Sequence, residues 1–219
     1  MKVRASLLAL AASLACAQAD LVLVQKVDGA GQSGEQTIKI KGTKSRADIS
    51  QSLSILSDST TGDAVTLKHS DKAFMKIPAA QTRAMTEEMK KRRGNAAPPE
   101  LKSTGKKEKV GDHECEIFTC DLGGLSVTYW FARDYPNFAA IQEQLAALQS
   151  SGLGGGAAGV MPDPKTFPGM ALKTEMELRG KKVTITIVSV KEEVVDPAVF
   201  NIPADYKEFA TPEFPIAPK

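Results

Sequence analysis

Across residues 172–179 the chain alternates without a break: Leu172, Thr174, Met176 and Leu178 are separated by Lys173, Glu175, Glu177 and Arg179. Successive side chains of a strand point to opposite faces, so this pattern belongs to a sheet with one apolar and one wet face. Thr37-Ile38-Lys39-Ile40-Lys41 repeats it. So do residues 125–133, where Leu125, Val127, Tyr129 and Phe131 share one face and Ser126, Thr128 and Trp130 share the other.

The same signal predicts roughly ten short strands, bounded by glycine, proline and small polar residues. They cover residues 21–24, 37–41, 46–50, 53–58, 64–69, 72–77, 114–122, 125–133, 172–179 and 183–191. The first is apolar throughout and suits a strand buried on both faces. Residues 28–34 read as a Gly-rich turn, and Gly123-Gly124 tolerate the positive φ of a two-residue hairpin bend. In the last strand the apolar phase shifts between Ile187 and Val188, which predicts a β-bulge. One helix starts near Gln81 with Ala84, Met85 and Met89 as its stripe, and Gly94-Asn95 caps it. A second runs over residues 137–150 with Phe138, Ile141, Leu145 and Leu148 on one side. Residues 95–107 and 152–159 read as loops, and the tail from Asp196 as extended. The expected fold class is α+β: a curved, mostly antiparallel sheet (a half-open β-barrel) covered by two amphipathic helices.

At the other end of the chain, Lys2 and Arg4 precede a short apolar run, and Ala17-Gln18-Ala19 offers the small-x-small pattern of a signal peptidase site. The run is too short for a membrane span. The expectation is a signal peptide over residues 1–19, cleavage near Ala19/Asp20, one domain over 20–207 and an extended Pro-rich tail over 208–219. A bacterial lipoprotein signal would place a leucine-like residue three before its cysteine, but Ser13 stands there before Cys16, so Cys16 is expected to leave with the signal. Periplasmic or secreted localisation follows, away from ATP and reduced nicotinamide. Losing Lys2 and Arg4 removes the formal charge of +2, which leaves acids and bases balanced and no general attraction for nucleic acid.

Catalytic motifs are scarce. Gly154-x-Gly156-x-x-Gly159 spells a dinucleotide fingerprint, but it follows a helix and is followed by Pro162 and Pro164, which forbid the phosphate-binding helix. His113 and Cys115 share a strand face and form the best reactive or metal-binding pair, yet zinc needs three or four ligands and His69 is the one other histidine. Cys115 and Cys120, five apart on a strand, fall on opposite faces beyond disulfide reach unless a bulge intervenes. The cationic Lys90-Lys91-Arg92-Arg93 complements a helix C-terminus. The scattered methionines suit a core or an adaptable pocket.

Two stretches resemble a family of exported bacterial proteins described as domain of unknown function 4412. One runs from Thr104 through Gly111-Asp112-His113-Glu114-Cys115-Glu116-Ile117-Phe118 and is followed by Trp130-Phe131-Ala132-Arg133-Asp134. The other is Asp196-Pro197-Ala198-Val199-Phe200-Asn201-Ile202-Pro203-Ala204-Asp205-Tyr206. His113 stands where that family often has tyrosine, and Cys120 lies outside its pattern. The resemblance implies kinship with the lipoprotein-carrier (LolA/LolB) half-barrel, whose curved sheet and helices enclose an apolar cavity for acyl chains, and it implies no catalytic residues.

These readings converge on a non-enzymatic envelope protein that holds a lipid, or a lipoprotein acyl chain, in its half-barrel. Leu125, Val127, Phe131, Leu172, Met176, Met85 and Met89 are the candidate lining residues, with no catalytic residue, metal or cofactor. The alternatives are a thiol or metal site at His113/Cys115, and a structural or partner-binding domain with a filled core.

Overall fold

The apolar run at residues 21–24 opens the strand around which the sheet is arranged. In a computed structural model, which describes residues 19–29, 32–93, 99–122, 125–150, 162–178 and 180–209, β1 (Leu21–Gly29), β2 (Gln32–Lys41), β3 (Lys44–Ser50), β4 (Leu53–Asp58), β5 (Ala64–Lys68) and β6 (Ala73–Ile77) form a meander. Helix α1 (Ala79–Arg93) leads to β7 (Lys102–Val110), β8 (His113–Asp121) and β9 (Ser126–Ala132). Helix α2 (Phe138–Ser150) precedes β10 (Met170–Leu178) and β11 (Lys181–Glu192), and a two-residue β12 (Lys207–Glu208) ends the described chain. All twelve strands form one sheet in the order β12-β6-β5-β4-β3-β2-β1-β11-β10-β9-β8-β7. Each neighbouring pair is antiparallel except β12 with β6, and the two outer strands do not meet. The α+β class and the open, mostly antiparallel sheet are as expected.

Bulges bend this sheet. Val24 faces Ser189 while Gln25 faces Ile187, so Val188 is the extra residue of the predicted bulge, and its side chain is 55 % exposed. Further register shifts fall in β3, in β10 around Leu172 and in β7. Each adds local twist and curvature that a regular ladder lacks.

β1 is apolar at every early position because both of its faces are covered. Leu21 and Leu23 join Ile40, Trp130, Met170, Leu172 and Ile141 of α2 in one buried cluster, with Phe138, Leu145 and Leu148 packed against it. Val22 points the other way, into a cluster with Val195 and Phe200. Asn137, at φ 53°, breaks the chain direction immediately before α2, a conformation asparagine accepts more readily than most residues. For α1, the one buried residue among those described is Ala79. The cover that the described side chains show therefore comes from α2.

Residues 102–107, expected in a polar loop, instead belong to β7, which is hydrogen-bonded to β8 and exposed at all but its last position. An edge strand with no layer over it has no apolar face to announce it. Its lysines and the irregularity at Gly105 (φ 69°) hinder pairing with another chain. β1 and β2 are also longer than expected, reaching Gly29 and starting at Gln32, and with β7 and the tail's β12 the sheet gains two strands over the sequence reading.

The tail motif clasps the outer face. The Asp196 carboxylate accepts from the Ala198 N–H and caps a short 3-10 turn over Pro197–Phe200, which buries Phe200. Arg46 Nη1 donates to the Val199 carbonyl (3.0 Å), and Tyr206 Oη lies 2.6 Å from His69 Nδ1. His69 Nε2 lies 2.7 Å from Ser54 Oγ, and that hydroxyl donates to Asp48 (2.6 Å), which also binds Arg46 and Lys39. Desolvation works to raise the Asp48 pKa, but the Ser54 hydroxyl and the Arg46 guanidinium outweigh it and hold it below the ordinary 3.8. A depressed folded-state pKa means that the unfolded chain takes up this proton first as the pH falls. The stabilisation is therefore complete above the ordinary value and disappears as the pH drops through the lower, folded one. Asp48→Asn should melt well below the wild type at neutral pH, and the two melting temperatures should converge in acid well under 3.8; a gap that persists there would contradict the assignment.

Candidate functional site

Between the inner sheet face and α2 lies a cavity of about 430 Å³, within the size range of small-molecule sites. Alternation places its floor: Leu23 of β1 pairs with Ile38 of β2, Ile38 with Ala47 of β3, and Gln25 with Ile187 of β11. Across the bulges, Thr174 and Met176 of β10 face the same space, with Tyr129 of β9 opposite Thr174. Phe138, Leu145 and Leu148 of α2 form the roof.

A third wall comes from the segment before β10, through Pro162, Pro164 and Phe167. Asp163 caps its short turn by accepting from Lys165 N, and Gln142 Nε2 of α2 donates to the Pro164 carbonyl (2.7 Å), so roof and wall are joined. Gly169 ends the segment where a Cβ would lie 2.3 Å from the Ala132 carbonyl oxygen, too close for any other residue without backbone movement.

Among the described residues, no Asp, Glu, Lys, Arg, His or Cys lines this space. The polar contributors are Gln25 and Gln36, which hydrogen-bond each other (2.9 Å), together with Gln142, Thr174 and Tyr129. The site can exclude water from an apolar chain, but among the described residues its lining offers no acid–base pair and no metal ligand set.

The sequence-derived candidates fall in several places. Met176 lines the cavity. Val127 and Phe131 are fully buried beside it in a cluster with Tyr129 and Cys120, and Leu125 packs against that cluster. Leu172, 4 % exposed, belongs to the cluster of Leu21 and Leu23. The side chains of Met85 and Met89 lie outside the described residues. Ile38, Leu145, Leu148 and Ile187 were each legible as apolar-face residues but not as neighbours of one another. Pro162 and Phe167 carry no periodic signal at all.

His113 and Cys115 do not assemble a reactive pair. Cys115 is completely buried, and its thiol pKa is pushed up, mainly by burial. His113 packs its ring against Tyr135 (5.1 Å between centroids) at a separate small cleft with Asn137 and Glu192. Among the described residues no three His, Cys, Asp or Glu side chains are grouped to hold a metal. Cys115 and Cys120 are not joined by a disulfide and sit in different clusters, as the odd spacing requires. The Gly154–Gly159 fingerprint lies outside the described residues.

An open, mostly antiparallel sheet roofed by a helix over a cavity of largely apolar lining defines the architecture. The chain belongs to the family described as a domain of unknown function, DUF4412, whose model matches residues 23–206. Both family stretches now have physical roles: Trp130 Nε1 donates to Glu108 (2.8 Å) across the β7–β8–β9 face, and the Asp196–Tyr206 segment forms the outer clasp. No curated protein matches the chain by sequence. Among solved structures it is similar to PNGF-II at 11% identity and TM-score 0.41, over 87% of this chain and 31% of that one. The lipoprotein LppX of Mycobacterium tuberculosis is 10% identical at TM-score 0.41, over 80% of this chain and 88% of that one. A LolA superfamily protein of Nitrosomonas europaea is 11% identical at TM-score 0.33, over 84% and 90% respectively. The chain thus spans about a third of PNGF-II and most of the other two. No helix among the described residues is long and apolar enough to cross a membrane.

Proposed function

We propose that this protein is a non-enzymatic carrier of the bacterial envelope that binds one apolar chain, a lipid or the acyl part of a lipoprotein, after loss of residues 1–19. The observation that carries the reading is the roughly 430 Å³ cavity between the sheet and α2, walled mainly by aliphatic and aromatic side chains and, among the described residues, free of charge. Binding then follows from burial. Each methylene moved from water into the cavity gains about 0.8 kcal/mol, so a chain binds without polar contacts. Among the described residues, the lining holds no acid–base pair for general acid–base catalysis.

The test is mass spectrometry of the protein purified from its exported form under non-denaturing conditions. A bound apolar molecule, released on organic extraction, is the expected result. Protein that is empty on isolation and takes up no fatty-acyl probe would overturn the reading.

A further inference from the structure

Tyr129 stands apart among the cavity residues. Its side chain is 3 % exposed, and among the described residues its hydroxyl is the buried side-chain polar atom with no hydrogen-bond partner. Buried tyrosine hydroxyls ordinarily find a partner, because leaving one unmatched forfeits the hydrogen bonds it made to water. Phenylalanine would fill the same place, stacked on Phe131 (5.5 Å, 13° between planes) and tilted against Phe167 (5.6 Å), without that cost. Packing alone therefore explains the ring and leaves the oxygen unexplained.

The geometry points to Tyr129 as the polar anchor of the cavity, its hydroxyl donating a hydrogen bond to a neutral acceptor on the bound chain, an ester or amide carbonyl of an acyl group. This deepens the carrier reading and rests on it. Burial raises the phenol's pKa far above its ordinary value, so the group stays protonated and available as a donor at every physiological pH. The acceptor is neutral because, among the described residues, no cation lines the cavity, and a carboxylate placed there would be buried without a counter-charge. An acyl chain joined through an ester or amide satisfies both conditions, whereas a free fatty acid in its ionised form accepts a hydrogen bond but brings a buried charge. The hydroxyl is shut off from solvent, so a side chain packed on Tyr129 has to yield before an acceptor reaches it. Phe167, Ala171 and Met176 pack against the cluster that holds Tyr129 and also line the cavity, and methionine's unbranched thioether moves at small cost.

The experiment compares Tyr129→Phe with the wild type in binding a long-chain acyl methyl ester and an alkane of matching length. One net hydrogen bond predicts that the variant loses about fivefold in ester affinity and nothing in alkane affinity. The unliganded variant is expected to melt at or above the wild-type temperature. Equal effects on both probes, or a variant that melts lower, would overturn the anchor and leave the carrier reading standing. Failure of the wild type to bind either probe would instead remove the carrier reading and the anchor with it.

Discussion

Phe131→Ala should lower the free energy of unfolding by about 3–5 kcal/mol, the range for deleting a buried aromatic ring. Phe131 has no exposed surface, and its ring centre lies 4.9 Å from that of Phe167 and 5.5 Å from those of Phe118 and Tyr129. Its strand is paired on both sides, opposite Glu116 and Ala171, so the backbone has little freedom to collapse into the space left behind. Since domains of this kind are stable by about 5–15 kcal/mol, such a loss is a large part of the total. Urea denaturation measures it directly, with Val194→Ala as the reference: that residue is 93 % exposed and should change stability by no more than about 0.5 kcal/mol. A Phe131→Ala loss near that of the reference would mean that the aromatic cluster beside the cavity is not packed.

The second large effect concerns binding. Leu145→Arg places a long, charged side chain on the cavity face of α2, where Leu145 is half-buried. The cavity is open enough for the guanidinium to reach water while its methylene stem occupies the space meant for ligand. Affinity for a fluorescent fatty-acyl probe should fall at least about a hundredfold, equivalent to roughly 2.8 kcal/mol. Val188→Arg, at the exposed bulge residue, should leave binding unchanged. Retention of affinity in Leu145→Arg to within a few-fold would place the ligand elsewhere on the molecule.

How much of this could be read from the chain depended on whether a residue's surroundings repeat along a strand. The alternation at Ile38 and Ile40, and the wholly apolar start of β1, announced the inner face because each strand there has neighbours on both sides. Even the break in phase at Ile187-Val188 was legible, since a bulge shifts one face by a single residue. β7 was not, because an edge strand exposed on both sides has the composition of a loop.

The cavity was harder. Val127 and Phe131 lie on the same strand face as Tyr129, so their sequence signal is identical to that of a lining residue, yet ring packing against Phe118 and Phe167 buries them beside the space instead. Which apolar residue touches the void and which supports it is decided by how β9 sits against the Pro162–Gly169 segment. Hydrogen bonds from Gln142 hold that segment in place, and no periodicity encodes them. Similarly, the outer clasp joins Asp48, Ser54, His69 and Tyr206 from four separate stretches, each unremarkable alone.

The central claim is that the space under α2 receives an apolar chain, and the dissociation constants of a homologous series of saturated acyl esters test it most directly. If chain burial drives binding, each added methylene should tighten the dissociation constant about fourfold until the cavity is full, after which the values level off. A series whose affinities do not change with chain length would contradict it.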